Sequence, residues 1–266
     1  MKLNIVPASA GAQWVRAGVR TFFKQPLALA GLFFMFMAAI SVLAFVPLIG
    51  GVVGLMAVPA LTVGLMAAAR EADEGRFPMP LTLFEGFRGS SQARRAMLTL
   101  GVLYAIGVIL VMGASALIDG GRFAQLYVQG GGITQELVMD SQFRMAMWLS
   151  TLLYLPVSLA FWHAPALVRW HGVAPVKSLF FSLVAVLKNT RAFLLYGALW
   201  LALSFAAGLV LLVLTALTGS AAIASAGLLP VALLIAAMFF TSLWFTFRDS
   251  FSATRPDEPI EPPAGA

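Results

Sequence analysis

The chain has 266 residues, of which 61% are hydrophobic and 11% charged, with a formal net charge of +6 and no cysteine. A soluble domain carries about 25% charged residues, so lipid must serve as part of the solvent here. The absence of cysteine excludes disulfides, thiolate metal sites and cysteine nucleophiles, and membrane orientation accounts for the positive surplus without nucleic acid.

Residues 1–13 contain no apolar core, so no cleavable leader is expected and the run beginning near Leu27 is read as a retained helix. Segment 9–25 ahead of it is amphipathic. Trp14, Gly18 and Phe22 recur every four residues, as do Val15, Val19 and Phe23, while Arg16, Arg20 and Lys24 form the neighbouring stripe. Such a helix can lie in the headgroup layer, its aromatic face in the acyl boundary and its cations on phosphates. In the alternative it packs on the ends of the spans, and its cations serve only to fix topology.

Six segments are long enough to cross a hydrocarbon core, which takes about 20 helical residues. They are 27–47, 51–69, 96–117, 145–167, 192–217 and 226–247, and none contains Asp, Glu, Lys or Arg. The second is the shortest and carries Pro59. Fifteen of the 17 Lys and Arg fall before the first span, after the sixth, or in the second–third and fourth–fifth loops. Only Arg122 and Arg144 fall on the other side, in loop 118–144, and the turns 48–50 and 218–225 are uncharged. The positive-inside rule then puts both termini in the cytoplasm. The expected fold is all-α: a polytopic membrane helical bundle over residues 1–251, with a disordered cytoplasmic tail over 252–266.

A repeat runs through the odd spans. AMLTLGVLY from Ala96 and AFLLYGALW from Ala192 align, and PLALAGLFF from Pro26 follows more loosely, bringing Gly31, Gly101 and Gly197 into register. The chain reads as three helix pairs, each preceded by an amphipathic cytoplasmic helix. Segment 177–189 is the third such helix, with Leu179, Phe180, Leu183, Val184 and Leu187 on one side. Segment 81–95 is a weaker second, interrupted by Gly86 and Gly89.

Few side chains offer chemistry. His163, beside Pro156 and Pro165, reads either as a polar site at a broken helix or as an interfacial histidine bonded to a carbonyl. A metal pair of His163 and His171 lacks further soft ligands. Ala198, Ala202 and Ala206 recur every four residues, a spacing that lets helices approach closely within the monomer or across a dimer. Asp119, Glu136 and Asp140 in the external loop suffice for a weak cation contact or a solvated loop. The glycines at 130–132 lack the strand–helix frame of a nucleotide cradle. Glu71, Asp73 and Glu74 read as a salt-bridged turn.

The stretch APALVRWHGVAPVKSLFFS at 164–182, with residues 1–7, 21–34 and 76–80, resembles a family of uncharacterised proteobacterial six-helix inner-membrane proteins. Gly172, Pro175, Ser178, Ser182 and Asn189 occupy a pattern shared with more distant six-helix bacterial membrane families. The resemblance implies an inner-membrane location and a six-helix fold, and carries over no catalytic residue.

No catalytic residue, cofactor or metal is expected, and no enzyme. The expected partners are anionic membrane lipids, contacted by Trp14, Arg16, Arg20, Lys24, Lys177 and Lys188. A homo-oligomer or another membrane protein is the further option. The functional expectation is a non-enzymatic membrane protein that organises lipid or protein partners. A transporter or channel for a small or apolar solute, not coupled through buried charges, is the alternative.

Overall fold

The computed structural model describes residues 2–129 and 134–252. The glycines at 130–132 and the expected tail beyond Ser252 lie outside the described residues. Helix α1 (Ala10–Lys24) leads into α2 (Pro26–Ala44) and α3 (Gly50–Asp73). A 3-10 segment at Pro80–Phe87 precedes α4 (Ser91–Asp119), and short helices α5 (Arg122–Gln129) and α6 (Gln135–Met139) fill the following loop. Helix α7 (Ser141–Phe161) continues as α8 (Ala164–His171), followed by α9 (Pro175–Lys188), α10 (Thr190–Thr218) and α11 (Ala221–Ser250). Strands β1 (Lys2–Leu3) and β2 (Phe251–Ser252) pair antiparallel and bring the two ends of the described chain together.

All six expected spans are present as α2, α3, α4, α7–α8, α10 and α11. The pairs α2–α3, α4–α7 and α10–α11 pack as neighbours, as the three-pair reading requires. The second span is the centre of the bundle: 61% of its apolar window is buried inside the protein, against 6% for the fifth. Pro59 sits within α3 without ending it. The repeat glycines do not share a role. A β-carbon at Gly101 would strike the Met56 backbone of α3, whereas nothing lies within 4 Å of one at Gly31 or Gly197.

Local chemistry sets the boundaries. Pro26 and Pro175 open α2 and α9, where a missing N–H costs nothing. Ser90 caps α4 by accepting from Ala93 N at 3.2 Å. Segment 81–95 does not form the expected amphipathic helix. Its first part is the 3-10 turn, held because Leu83 presses on Gly64 of α3 and Gly86 on Ala60. The Ser90 cap then assigns the rest to the third span. Thr82 Oγ1 donates to Glu71 Oε2 at 3.1 Å, and Glu85 receives Arg169 at 2.8 Å, tying the turn to α3 and α8.

The loop between α4 and α7 is built around its acids. Asp119 accepts from Gly121 N at 2.9 Å and Phe123 N at 2.7 Å, opening α5. Asp140 caps α7 through Gln142 N at 2.8 Å and Phe143 N at 3.1 Å, and pairs with Arg122 at 2.6 Å. Both carboxylates are therefore engaged by the protein rather than offered to a cation. The Arg122 guanidinium and the α7 amides hold the Asp140 carboxyl below its ordinary value, and Asp140 raises Arg122 in return.

Candidate functional site: the basic cleft beside α1

Helix α1 crosses three spans in turn. Gly11 abuts the α10 backbone at Ala192 and Tyr196, and Gly18 abuts Ser242 of α11. At the far end Lys24 Nζ donates to the Asp73 carbonyl at 2.8 Å and to its carboxylate at 3.3 Å, reaching α3. Only glycine lets the α1 backbone come this close, because a β-carbon at position 18 would meet the Ser242 backbone. The aromatic face turns toward the spans. Trp14 is 0% exposed, its ring lies 5.1 Å from Phe193, and its indole N–H donates to Asp249 Oδ2 at 2.9 Å. Phe22 is likewise buried, and Phe23 alone of the aromatic set stays outside at 61% exposure.

The expected headgroup contact of Trp14 is therefore corrected. An apolar helix face can be buried by acyl chains or by protein, and here the small residues Gly11 and Gly18 give it to protein.

The cationic stripe stays outside. Arg16 and Arg20 are exposed, one helical turn apart, and neither has an ion-pair or hydrogen-bond partner among the described residues. They line a cleft of about 320 Å³ together with Lys24, Asp73, Arg248 and Phe245. Asp73 receives Lys24 on one carboxylate oxygen and Arg248 on the other at 3.5 Å. Arg248 also pairs with Asp249 at 2.8 Å and lies 4.9 Å over the Phe245 ring. The cleft sits where α2 begins and α3 and α11 end, at the edge of the apolar windows of three spans.

Lys177 and Lys188 are exposed on α9. The inner face of α9 is Ser178, Ser182, Ala185 and Val186, while Phe180 and Leu187 point outward. That arrangement suits a helix with lipid on its outer side. The residues of the shared pattern have structural work: Gly172 takes φ +63° at the end of α8, and Ser178 Oγ donates to the Pro175 carbonyl at 2.6 Å. Asn189 accepts from Val6 N at 2.8 Å and donates to the Asn4 carbonyl at 3.0 Å, clamping the N-terminal segment.

Between α7 and α8 the span is broken. Pro165 has no N–H for the Phe161 carbonyl and its ring crowds that group, so α7 stops at Phe161. Ser182 fills the gap: its hydroxyl accepts from His163 N at 2.9 Å and donates to the Leu159 carbonyl at 2.9 Å. His163 is fully buried and its Nε2 lies 3.2 Å from Thr246 Oγ1, with Phe193, Phe247 and Phe251 around the ring. Its side-chain partner is thus a hydroxyl of α11 rather than a carbonyl. Nearby, a pocket of about 280 Å³ is lined by Thr62, Tyr104, Tyr154 and Ser158 among apolar walls, and the Tyr104 and Tyr154 hydroxyls lie 2.8 Å apart.

Ala198, Ala202 and Ala206 do not pack within the monomer, because all three are exposed. Helix α10 turns Ala192, Tyr196 and Trp200 inward; Ala198 and Ala202, two residues on from Tyr196 and Trp200, lie about 200° around the helix, and Ala206, six on from Trp200, about 240°. Close approach is made instead at glycines such as Gly11, Gly18, Gly64, Gly86 and Gly101, each set against backbone. Spacing marked Gly18 and the repeat marked Gly101, but neither indicated the partner, which comes from a distant segment.

Six apolar spans with charged groups at their ends define a polytopic α-helical membrane protein. The chain is 36% identical over 265 residues to the "Probable inner membrane protein" of Burkholderia thailandensis, covering 98% of this chain and 98% of that relative. It belongs to that family of inner-membrane proteins. No family model and no solved structure matches it.

Proposed function

We propose that the chain is a non-enzymatic inner-membrane protein that gathers anionic lipid at its cytoplasmic surface, with both termini on that side. The observation that carries the reading is the pair Arg16 and Arg20, exposed and unpartnered among the described residues, at the ends of three spans. Each cation near an anionic leaflet contributes about 1 kcal/mol before salt screening. Lys24 is engaged by Asp73, so it contributes mainly by holding the cleft together. Lys177 and Lys188, exposed on α9, add a second basic region to the same lipid contact. The excess of Lys and Arg on one set of loops supports the orientation.

Mass spectrometry of the lipid retained after detergent extraction tests this reading. Acidic phospholipid enriched over the bulk membrane, and no longer enriched after Arg16→Gln with Arg20→Gln, is the expected result. Retained lipid of bulk composition would remove the basis of the reading.

The hydroxyl-lined pocket favours a second reading, passage of a small uncharged solute through the bundle. Flux of such a solute into proteoliposomes, blocked by Tyr154→Phe or by filling the pocket at Ser158, would promote it over the first.

A further inference from the structure

Four cations and two carboxylates meet at the cleft beside α1, leaving two positive charges uncompensated. We infer that this cleft is a phosphomonoester site, taking a dianionic phosphate head in preference to the single charge of a phosphodiester. The inference rests on the proposed contact with anionic lipid and names the chemistry of its ligand.

The site is partly assembled before any ligand arrives. Asp73 holds Lys24 and Arg248 with separate carboxylate oxygens. Asp249 fixes Arg248 from the other side, and Trp14 in turn fixes Asp249. Such positioning lowers the ordering cost when a ligand binds. Arg16 and Arg20 complete the wall with two guanidinium groups whose planar forks match phosphate oxygens. A phosphomonoester carries about −1.5 to −2 charges at neutral pH, which balances the cleft, whereas a diester leaves it half-compensated. The volume of about 320 Å³ is roughly that of ten waters at ~30 Å³ each, enough for a phosphate and a short polar stem.

Beside the cleft, Phe23 and Leu27 are 61% and 89% exposed. They give a place for hydrocarbon next to the phosphate, so the same chemistry can arrive on a lipid as well as from solution.

The test uses the full chain in neutral phosphatidylcholine nanodiscs, doped with phosphatidate or phosphatidylglycerol at equal surface charge. Lipid retained after exchange into detergent is quantified at pH 8. Phosphatidate is expected to exceed phosphatidylglycerol about fivefold, the effect of one further charge at the site. The excess should shrink at pH 5, below the second phosphate ionisation near pH ~6. Arg16→Gln with Arg20→Gln should abolish the excess, while Arg94→Gln with Arg95→Gln, exposed on α4, should preserve it. Thermal melts of each pair confirm that the fold is kept. Displacement of phosphatidate by millimolar glycerol phosphate would assign the site to soluble phosphoesters, and retention against it to the lipid; both uphold phosphomonoester recognition. Equal retention of phosphatidate and phosphatidylglycerol, both above phosphatidylcholine, would overturn this inference and leave the anionic-lipid reading intact. Equal retention of all three lipids would overturn both.

Discussion

The indole N–H of Trp14 donates to the carboxylate of Asp249 at 2.9 Å, joining the first helix to the end of the sixth span across 235 residues. Asp249 also receives Arg248, so one carboxylate links the buried face of α1 to the basic cleft beside it. The helix is thus an integral strut of the bundle rather than a detachable surface element. Trp14→Phe keeps most of the ring and loses the donor, and should lower stability by about 1–2 kcal/mol. Trp14→Ala empties a fully enclosed site and should cost about 3–5 kcal/mol. Thermal unfolding followed by size-exclusion chromatography in detergent reads both. An unchanged melt for Trp14→Ala would mean that α1 lies on the membrane and not on the spans.

Ser182 takes the place of the backbone bond that His163 and Leu159 would make in an unbroken helix. Ser182→Ala leaves a buried N–H and a buried carbonyl without their partner, so a loss of about 1–2 kcal/mol is expected. Ser158→Ala is the control, since that hydroxyl only returns to the Leu155 carbonyl of its own helix. Equal melting of the two variants would contradict the bridging role of Ser182.

Gly18 and Gly31 separate close packing from coincidence of sequence. Gly18→Ala forces a methyl group into the Ser242 backbone and should cost about 1–3 kcal/mol through overpacking. Gly31→Ala meets open space and should be neutral or slightly stabilising, because alanine favours helix. The same melting assay compares them, and a destabilised Gly31→Ala would restore a common role for the repeat glycines.

The loop between α4 and α7 should respond to acid in a defined direction. Asp140 in the folded state titrates below its ordinary value of 3.8, chiefly because Arg122 hydrogen-bonds to it. A depressed carboxylate stabilises fully above its unfolded value and loses that contribution as pH falls through the folded one. Amide exchange at Gln142 and Phe143 should therefore keep its protection at neutral pH and lose it below about pH 4, beyond the intrinsic rate change. Asp140→Asn should remove this acid response. Protection that persists unchanged to pH 2.5 in the unaltered chain would count against the Arg122–Asp140 cap.

Much of this architecture is legible in the sequence, because span length and the confinement of charge depend on local composition. What covers an apolar face is not local information. The four-residue spacing of Trp14, Gly18 and Phe22 marks a buried side, yet acyl chains and protein are equally apolar partners. On α9 Phe180 and Leu187 face outward while Ser178 and Ser182 face in beside Ala185 and Val186, an outer face that water would disfavour. Ala198, Ala202 and Ala206 suggest packing by spacing, but inward-facing Tyr196 and Trp200 set the rotation of α10. In the sequence His163 stands as an isolated polar group at a broken span. Its complete burial against Thr246 and three aromatic rings makes it part of the core. The basic cleft was half visible: Arg16, Arg20 and Lys24 share a stripe, whereas Asp73 and Arg248 join them only through the fold.

Gathering anionic lipid at the cytoplasmic surface requires Arg16 and Arg20 to face the cytoplasmic leaflet. The chain has no cysteine, so a single introduced thiol is a unique reporter. Arg20→Cys and Ala222→Cys place thiols at exposed positions near opposite ends of the spans. With a membrane-impermeant maleimide, Ala222→Cys should be labelled in intact spheroplasts and Arg20→Cys only in inside-out vesicles. Labelling of Arg20→Cys in intact spheroplasts would invert the topology and contradict the account.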